Sequence, residues 1–173
     1  MTNYPIEHIS SIAADQTSLT ELLIDCVNSG ASIGFLAPLC VAEATQYWQD
    51  VDQAMQHGRS QLFVVRDNDQ IIAAVQLGLS PKANAKHRGE VEKLMVKQSH
   101  RKQGIATQLM TQLETYAKAL ELHLLILDTR EGDVSEQLYQ QLNYTRAGVI
   151  PDFALNSDLS YAGTALYYKL IQS

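Results

Sequence analysis

The chain has 173 residues, of which 46% are hydrophobic and 18% charged, which suits one globular domain and leaves little for a second. A net charge of −6 disfavours a broad nucleic-acid surface or attachment to an anionic membrane. The two cysteines, Cys26 and Cys40, form no CxxC pair and have no histidine at metal-ligand spacing, and no segment resembles a signal peptide or a membrane span. We therefore predict a single cytoplasmic domain over residues 1–173, without a metal site.

Two helices are predicted after a strand at the start of the chain. The first begins within residues 15–18, where Ser18 and Glu21 have the spacing of a capping box, and it ends by Gly30. The second covers about Val41 to His57, because apolar residues recur there at helical spacing and a glycine follows. The segment between the two helices is predicted to be a loop with apolar content.

Three strands follow, and the polar turn Asp67–Asp69 between the first two is typical of an antiparallel hairpin. Later in the chain, the almost wholly apolar run Leu122–Leu127 indicates a strand that is covered on both faces. The element order predicts a mixed α/β fold, with a mostly antiparallel sheet of about seven strands flanked by about four helices. The other predicted bounds are Gln61–Arg66, Ile71–Leu79 and Gly89–Lys97 for the three strands, Gln103–Leu120 and Val134–Leu142 for two helices, and Tyr144–Val149 and Thr164–Leu170 for the last two strands.

The segment Arg101–Ala106 lies between a predicted strand and a predicted helix. A helix start presents unpaired backbone N–H groups and the positive end of the helix dipole, so a glycine-containing turn there can wrap a pyrophosphate. Gly104 and Ala106 keep bulky side chains away from such a group, and Arg101 and Lys102 add positive charge. Read alone, this hexapeptide fits a solvated, well-capped helix terminus equally well.

This Arg-x-x-Gly-x-Ala turn, preceded by the strand Glu90–Val96, resembles motif A of the GCN5-related N-acetyltransferase (GNAT) family. The run Asp133–Tyr139, followed by Asn143 and Tyr144, resembles motif B of that family. Asn143 stands where glycine is commoner, and Ser135 stands where alanine is frequent. Both changes are conservative, because asparagine tolerates the left-handed conformation that a helix end needs and serine is small. The predicted order of elements is also similar to that of the family.

The likeness extends over about residues 20–171. Within the family, Gly30–Phe35, Glu90–Val96 and Leu127–Thr129 resemble the branch that contains the tabtoxin resistance protein, an acetyltransferase that modifies the amino group of a β-lactam toxin. The resemblance implies an enzyme with acetyl-CoA as its cofactor. Because members of the family often dimerise, it also implies a homodimer.

The resemblance further implies where the cofactor binds. The backbone of Leu94–Val96 pairs with the pantetheine arm, the amides of Arg101–Thr107 hold the pyrophosphate, and the amide of Met95 or a neighbour donates to the thioester oxygen. Leu94 and Val96 also fit an ordinary core strand. The full set of cofactor-binding residues is Leu94, Met95, Val96, Arg101, Lys102, Gln103, Gly104, Ile105, Ala106, Thr107, Ser135 and Tyr139.

Acetyl transfer to an amine requires a base, because an alkylammonium with a pKa of about 10 must first lose a proton. Glu90 stands eleven positions before Arg101, which is where members of this family that use a strand carboxylate carry their base. We assign Glu90 that role, directly or through a water. Glu92 lies on the same strand face by alternation and is the second candidate.

Two further residues are assigned to the chemistry. Asp128 ends the apolar strand and is placed beside the base, since neighbouring carboxylates can share a proton or hold the substrate ammonium. The alternative for Asp128 is a turn residue paired with Arg130. Tyr139 aligns with the tyrosine of motif B, and the resemblance implies that its hydroxyl protonates the leaving sulfur. The alternative interpretation is that Tyr139 is only an aromatic residue of the core.

The resemblance places the acceptor pocket beside the loop between the first two helices. The predicted reaction is acetylation of a primary amine on a small molecule that is amino-acid-like, a toxin or an antibiotic. Acetylation of a peptide or protein amine is one alternative, and a non-catalytic acetyl-CoA-binding regulator is another. The residues assigned to the pocket are Ser32, Gly34, Phe35 and Glu92, with Asp152 and Phe153 as further candidates.

Overall fold

A seven-stranded sheet with helices on both faces forms the protein, as a computed structural model shows for residues 4–171. The strands are β1 (Ile6–Ile9), β2 (Ser60–Asp67), β3 (Gln70–Leu79), β4 (Arg88–Val96), β5 (Leu124–Arg130), β6 (Thr145–Leu155) and β7 (Tyr161–Leu170). The helices are α1 (Gln16–Asn28), α2 (Val41–Gln56), α3 (Ile105–Ala119) and α4 (Ser135–Gln141). The predicted mixed α/β fold, with its seven strands and four helices, is therefore confirmed.

The strands lie in the order β1-β2-β3-β4-β5-β7-β6. Neighbouring strands are antiparallel except β4 and β5, which are parallel and are connected through α3. A parallel pair needs such a crossover, because a short turn can only reverse the chain. Within residues 4–171, none of the helices has the length and apolar character needed to cross a membrane.

Two apolar clusters cover opposite faces of the sheet. In β2, Leu62 and Val64 point to the cluster under α1 and α2, whereas Phe63 and Val65 point to the cluster under α3 and α4. Since both faces of β2 and β3 are buried, each of these strands contains a continuous apolar run instead of an alternating pattern. The fully buried Trp48 of α2 belongs to the first cluster, and its indole N–H donates to a backbone carbonyl of α1 over 2.8 Å.

The predicted capping box at the start of α1 is wrong. Asp15 occupies the cap position, and no side chain caps the helix. The Ser18 hydroxyl instead accepts a hydrogen bond from the backbone N–H of Ile71 over 2.7 Å, and the Glu21 carboxylate accepts one from the Gln70 side chain. Both side chains thus tie α1 to β3, because a partner across the structure competes with the local helix amides.

Three strands differ from their predicted bounds by two residues or more. β7 begins at Tyr161, three residues earlier than predicted. β5 begins two residues later than predicted and continues to Arg130, so Asp128 lies within the strand and not at its end. β6 continues past its predicted end at Val149 and through Pro151 to Leu155. Because β6 is an edge strand with register shifts against β7, a proline there removes no hydrogen bond from a central ladder.

Candidate active site

The parallel strands β4 and β5 separate after a short seam. They pair only from Arg88 opposite Leu124 to Glu90 opposite Ile126. Beyond this point β5 stays paired with β7, and β4 stays paired with β3. The facing edges of β4 and β5 therefore lack strand partners and enclose a gap whose backbone groups can bind an extended ligand.

A β-bulge lies where β4 leaves the seam. Ala74 is opposite Met95 and Gln76 is opposite Glu92, so Lys93 and Leu94 together face a single residue of β3. Lys93 has a φ of 50°, which is in the left-handed region. The bulge interrupts the alternation of the strand, with the result that Leu94 packs into the α3 and α4 cluster while Met95 packs into the α1 and α2 cluster.

A cavity of about 290 Å³ opens on the α1 and α2 side of the gap. It brings together most of the side chains that the sequence assigned to catalysis and to the acceptor. Neither Asp152, which is exposed, nor Phe35 is among the lining residues, although the Phe35 ring packs near the lining residue Lys93. The assigned residues that line the cavity are Ser32, Gly34, Glu90, Glu92, Asp128 and Phe153.

The three carboxylates of this cavity differ in their surroundings. Glu90 and Asp128 are exposed, and Asp128 accepts a hydrogen bond of 2.8 Å from the buried hydroxyl of Thr164. Glu92 is half-buried, and burial first, followed by the charge of Glu90, raises the pKa of its carboxyl above the ordinary value. A Cβ on Gly78 would lie 2.5 Å from Glu92 Oε1, so the missing side chain at Gly78 makes room for this carboxylate.

Lys93 places a cation in the same cavity, which the sequence analysis did not anticipate. Its Nζ atom lies 5.9 Å from the ring centroid of Phe35 and 5.7 Å from that of Tyr47. The two rings meet edge to face, and the Tyr47 hydroxyl accepts a hydrogen bond from the Gln76 side chain over 2.6 Å. A regular strand would have turned Lys93 to the opposite face from Glu92, so only the bulge could have revealed it.

The loop between α1 and α2 is held over the cavity from two sides. The Arg130 guanidinium donates to the carbonyl of Gly30 over 3.2 Å and to Asp133 over 2.9 Å. At the other end of the loop, the backbone N–H of Ala37 donates to the hydroxyl of Ser157 over 2.9 Å. These contacts connect the acceptor side of the site to β5 and to the turn between β6 and β7.

The turn before α3 presents a row of unpaired amides. Lys102 and Gly104 have φ values of 63° and 81°, and the first hydrogen bond of α3 is donated by Gln108 to the carbonyl of Gly104. Within residues 4–171, the six successive N–H groups of Lys102–Thr107 have no acceptor. Such a concave row at a helix start binds anions, so these residues fit the pyrophosphate of coenzyme A.

The side chains of this turn contribute unequally. Arg101 is folded onto the end of β4, where its guanidinium donates to the carbonyl of Val96 over 3.1 Å and to the Ser29 hydroxyl over 2.6 Å. Lys102 is exposed to solvent. Arg101 therefore fixes the turn relative to β4 and α1, and Lys102 is the cation at its surface.

Tyr139 lies on the other face of the sheet from the carboxylates. It is 6% exposed and packs among the rings of Tyr144 and Tyr167 at centroid distances of 5.9 and 6.0 Å. Burial, and then the charges of Asp133 and Asp128, raise its pKa above the ordinary value, so the hydroxyl stays protonated and able to donate. At the start of the same helix, the Ser135 and Thr129 hydroxyls share a hydrogen bond of 2.7 Å, which joins α4 to β5.

Comparison with known proteins agrees with this geometry. A model of the acetyltransferase (GNAT) family matches residues 28–144, which is more than half of the chain. An N-acetyltransferase from Staphylococcus aureus Mu50 has the same fold with a TM-score of 0.82 at 20% identity, over 99% of this chain and 100% of that one.

Two further solved structures share the fold. YncA from Salmonella typhimurium, named as an acetyltransferase and solved with its cofactor acetyl-CoA, matches with a TM-score of 0.80 at 15% identity, over 99% of this chain and 96% of that one. The phosphinothricin acetyltransferase Pat from Sinorhizobium meliloti, solved with acetyl-CoA, matches with a TM-score of 0.81 at 17% identity, over 98% of this chain and 89% of that one. With the family model matched and the gap, amide row and acidic cavity in place, the chain belongs to the acetyltransferase (GNAT) family.

Proposed function

We propose that this enzyme transfers the acetyl group of acetyl-CoA to the primary amine of a small molecule that is amino-acid-like, a toxin or an antibiotic. The observation that carries the proposal is the acidic cavity of about 290 Å³ at the point where β4 and β5 separate. Its volume suits a small acceptor better than a peptide, which would need a long open groove. The branch of the tabtoxin resistance protein stays our expectation for its nearest functional relatives.

The cofactor supplies a thioester whose carbonyl carbon accepts the amine and whose sulfur leaves. The amides of Lys102–Thr107 hold the pyrophosphate, and the unpaired edge of β4 holds the pantetheine arm. The amide of Met95 or a neighbour stabilises the oxyanion, a contribution of about 3 kcal/mol for one donor. Together these groups would hold acetyl-CoA so that its acetyl group meets the amine in the acidic cavity.

The side chains of the cavity manage the protons. Glu90, with Asp128 on the facing strand of the same cavity, receives the proton of the substrate ammonium directly or through a water, after which the neutral amine attacks. The Tyr139 hydroxyl, on the opposite face of the sheet, donates a proton to the departing sulfur. Glu92 is a second candidate for the base, and its raised pKa favours it because a base works best when its pKa approaches the operating pH.

The first test is a calorimetric titration of the purified protein with acetyl-CoA, followed by free-thiol release with amino acids, diamines, aminoglycosides and β-lactam dipeptides. Binding together with thiol release by one class of amine supports the proposal and identifies the acceptor class. Binding without release from any amine favours a regulator that senses acetyl-CoA. Acetylation of peptides in preference to every small amine overturns the acceptor assignment.

A further inference from the structure

We propose that the acceptor carries an acid group close to its amine, as an amino acid does, and that Lys93 binds this acid group. The inference rests on the proposed function, since it specifies the acceptor of the same cavity. It makes Lys93 a specificity-determining residue, whereas Glu90 and Asp128 act on the amine.

The backbone aims Lys93 into the cavity. Because of the bulge, Lys93 and its neighbour Glu92 both face the α1 and α2 side of the sheet, where both line the cavity. A Cβ on Gly34 would lie 3.3 Å from Lys93 Nζ, and Gly34 has a φ of 90°. The ammonium therefore lies against the backbone of the α1–α2 loop. A larger residue at position 34 would reduce the space that the ammonium occupies.

The ammonium is enclosed but lacks acceptors. Among residues 4–171, Lys93 has no hydrogen-bond partner and no carboxylate within the 4.0 Å of a salt bridge. The π faces of Phe35 and Tyr47 attract the positive charge of Lys93. These faces provide no lone pair that could accept a conventional hydrogen bond from the three N–H groups of the ammonium. Burial accordingly lowers the pKa of Lys93, and the charges of Glu92, Asp128 and Glu90 oppose this effect. An acid group that enters the cavity would supply the missing acceptors.

The second cation of the cavity is already engaged. Arg130 donates to Asp133 over 2.9 Å and to the Gly30 carbonyl over 3.2 Å. By contrast, Glu90 and Glu92 have no hydrogen-bond donor within the described residues, and Asp128 has only Thr164. The cavity thus presents carboxylates that lack donors together with an ammonium that lacks acceptors, which is the charge pattern complementary to a zwitterionic acceptor.

Pairs of acceptors that differ only in the acid group test whether Lys93 binds that group or only offsets the negative charge of the neighbouring carboxylates. Each amino acid that the wild-type enzyme acetylates is compared with its carboxamide, which keeps the amine and loses the negative charge. For Lys93→Met we expect the ratio of kcat/KM for the acid over that for the carboxamide to fall about tenfold or more, because a charge-assisted pair is lost. Lys93→Arg should retain most of the ratio. Acetyl-CoA affinity, measured by calorimetry, verifies that each variant keeps its fold and cofactor site.

Three outcomes overturn the inference. An equal loss for acid and carboxamide assigns Lys93 to charge balance alone. A wild-type enzyme that prefers carboxamides or diamines to amino acids has no site for an acid group. An absence of thiol release with every amine, while acetyl-CoA still binds, overturns the proposed function itself. This outcome differs from the first two because the wild-type protein then shows no activity with any acceptor.

Discussion

Tyr139 is the residue to which we assign the proton for the leaving sulfur. Its hydroxyl lies on the face of the sheet opposite Glu90, so proton removal and proton donation are assigned to different sides of the gap. Tyr139→Phe should lower kcat by about 100-fold or more without changing the affinity for acetyl-CoA, because only the proton for the leaving sulfur is lost. Thiol-release kinetics and calorimetry measure the two quantities.

Tyr144→Phe is the matched control, since it removes a buried hydroxyl from the neighbouring ring. Equal losses in the two variants would contradict the assignment of Tyr139.

The pH dependence of the reaction gives a second check on this role of Tyr139. The pKa of Tyr139 is raised above its ordinary 10.0, and a tyrosine donates only while protonated, so the acid should remain active throughout the range below pH 10.

Variants of the two glutamates of β4 show which of them is the base. Glu90→Gln should reduce kcat by about 100-fold, and Glu92→Gln should reduce it less, because the sequence spacing and the exposed position of Glu90 place it first. The exposed Glu131→Gln, outside the cavity, should leave kcat unchanged. A larger loss for Glu92→Gln than for Glu90→Gln would transfer the role of base to Glu92.

At the scale of elements, the start of α3 sets two effects against each other. Thr107 is exposed, and its N–H is the last of the unpaired amides of the turn. A carboxylate there interacts favourably with the helix dipole, by about 0.3–1 kcal/mol, but repels a pyrophosphate. Thr107→Glu should therefore weaken acetyl-CoA binding by about tenfold or more while the free energy of unfolding stays equal or rises.

Thr107→Gln has the same length without the charge and serves as the control. Calorimetry and urea denaturation report affinity and stability separately. Equal affinities for the two variants would contradict the assignment of the phosphate site to this helix start. A loss of stability in Thr107→Glu would contradict the favourable interaction with the helix dipole.

The sequence was sufficient for the elements and their order, because apolar periodicity and the glycine and polar turns mark where each begins. It was insufficient where a long-range partner decides the outcome. Ser18 has the spacing of a local cap, yet its partner is the amide of Ile71 in another element. Lys93 lies in a run that reads as a regular strand, and the bulge depends on the register with β3. Pro151 suggests an end to β6, but an edge strand tolerates it.

The site shows the same division. Glu90, Glu92 and Asp128 line one cavity. Glu90 was predicted from its motif position, Glu92 from strand alternation and Asp128 from its place after an apolar run. Gly78 and Thr164, which make room for Glu92 and bind Asp128, carry no local signal because their roles depend on neighbouring strands. Motifs fix the residues that a shared chemistry requires, whereas the residues that shape one pocket depend on tertiary packing.

At the scale of the whole molecule, both apolar clusters share the same sheet, so they should unfold together. Trp48 lies wholly within the α1 and α2 cluster, and its fluorescence reports on that cluster. In urea, the fluorescence transition should coincide with the loss of far-ultraviolet circular dichroism, which reports on all helices and strands. Saturating acetyl-CoA, at about 100 times its Kd, should raise the free energy of unfolding by about 2.7 kcal/mol.

A fluorescence midpoint that precedes the dichroism midpoint would contradict this prediction, because the α1 and α2 cluster would then unfold alone. A midpoint unmoved by acetyl-CoA would contradict the cofactor site. The protein without acetyl-CoA and a titration with coenzyme A lacking the acetyl group are the controls.

The three residue pairs that join β4 to β5 also have a mechanical consequence. Inter-strand pairing makes a sheet resist bending, and β4 and β5 share fewer paired residues than the β2–β3, β3–β4, β5–β7 or β6–β7 pairs. Slow bending of the molecule should therefore concentrate there, and a ligand that fills the gap should stiffen it. We therefore expect the release of products to depend on how readily the sheet bends between β4 and β5.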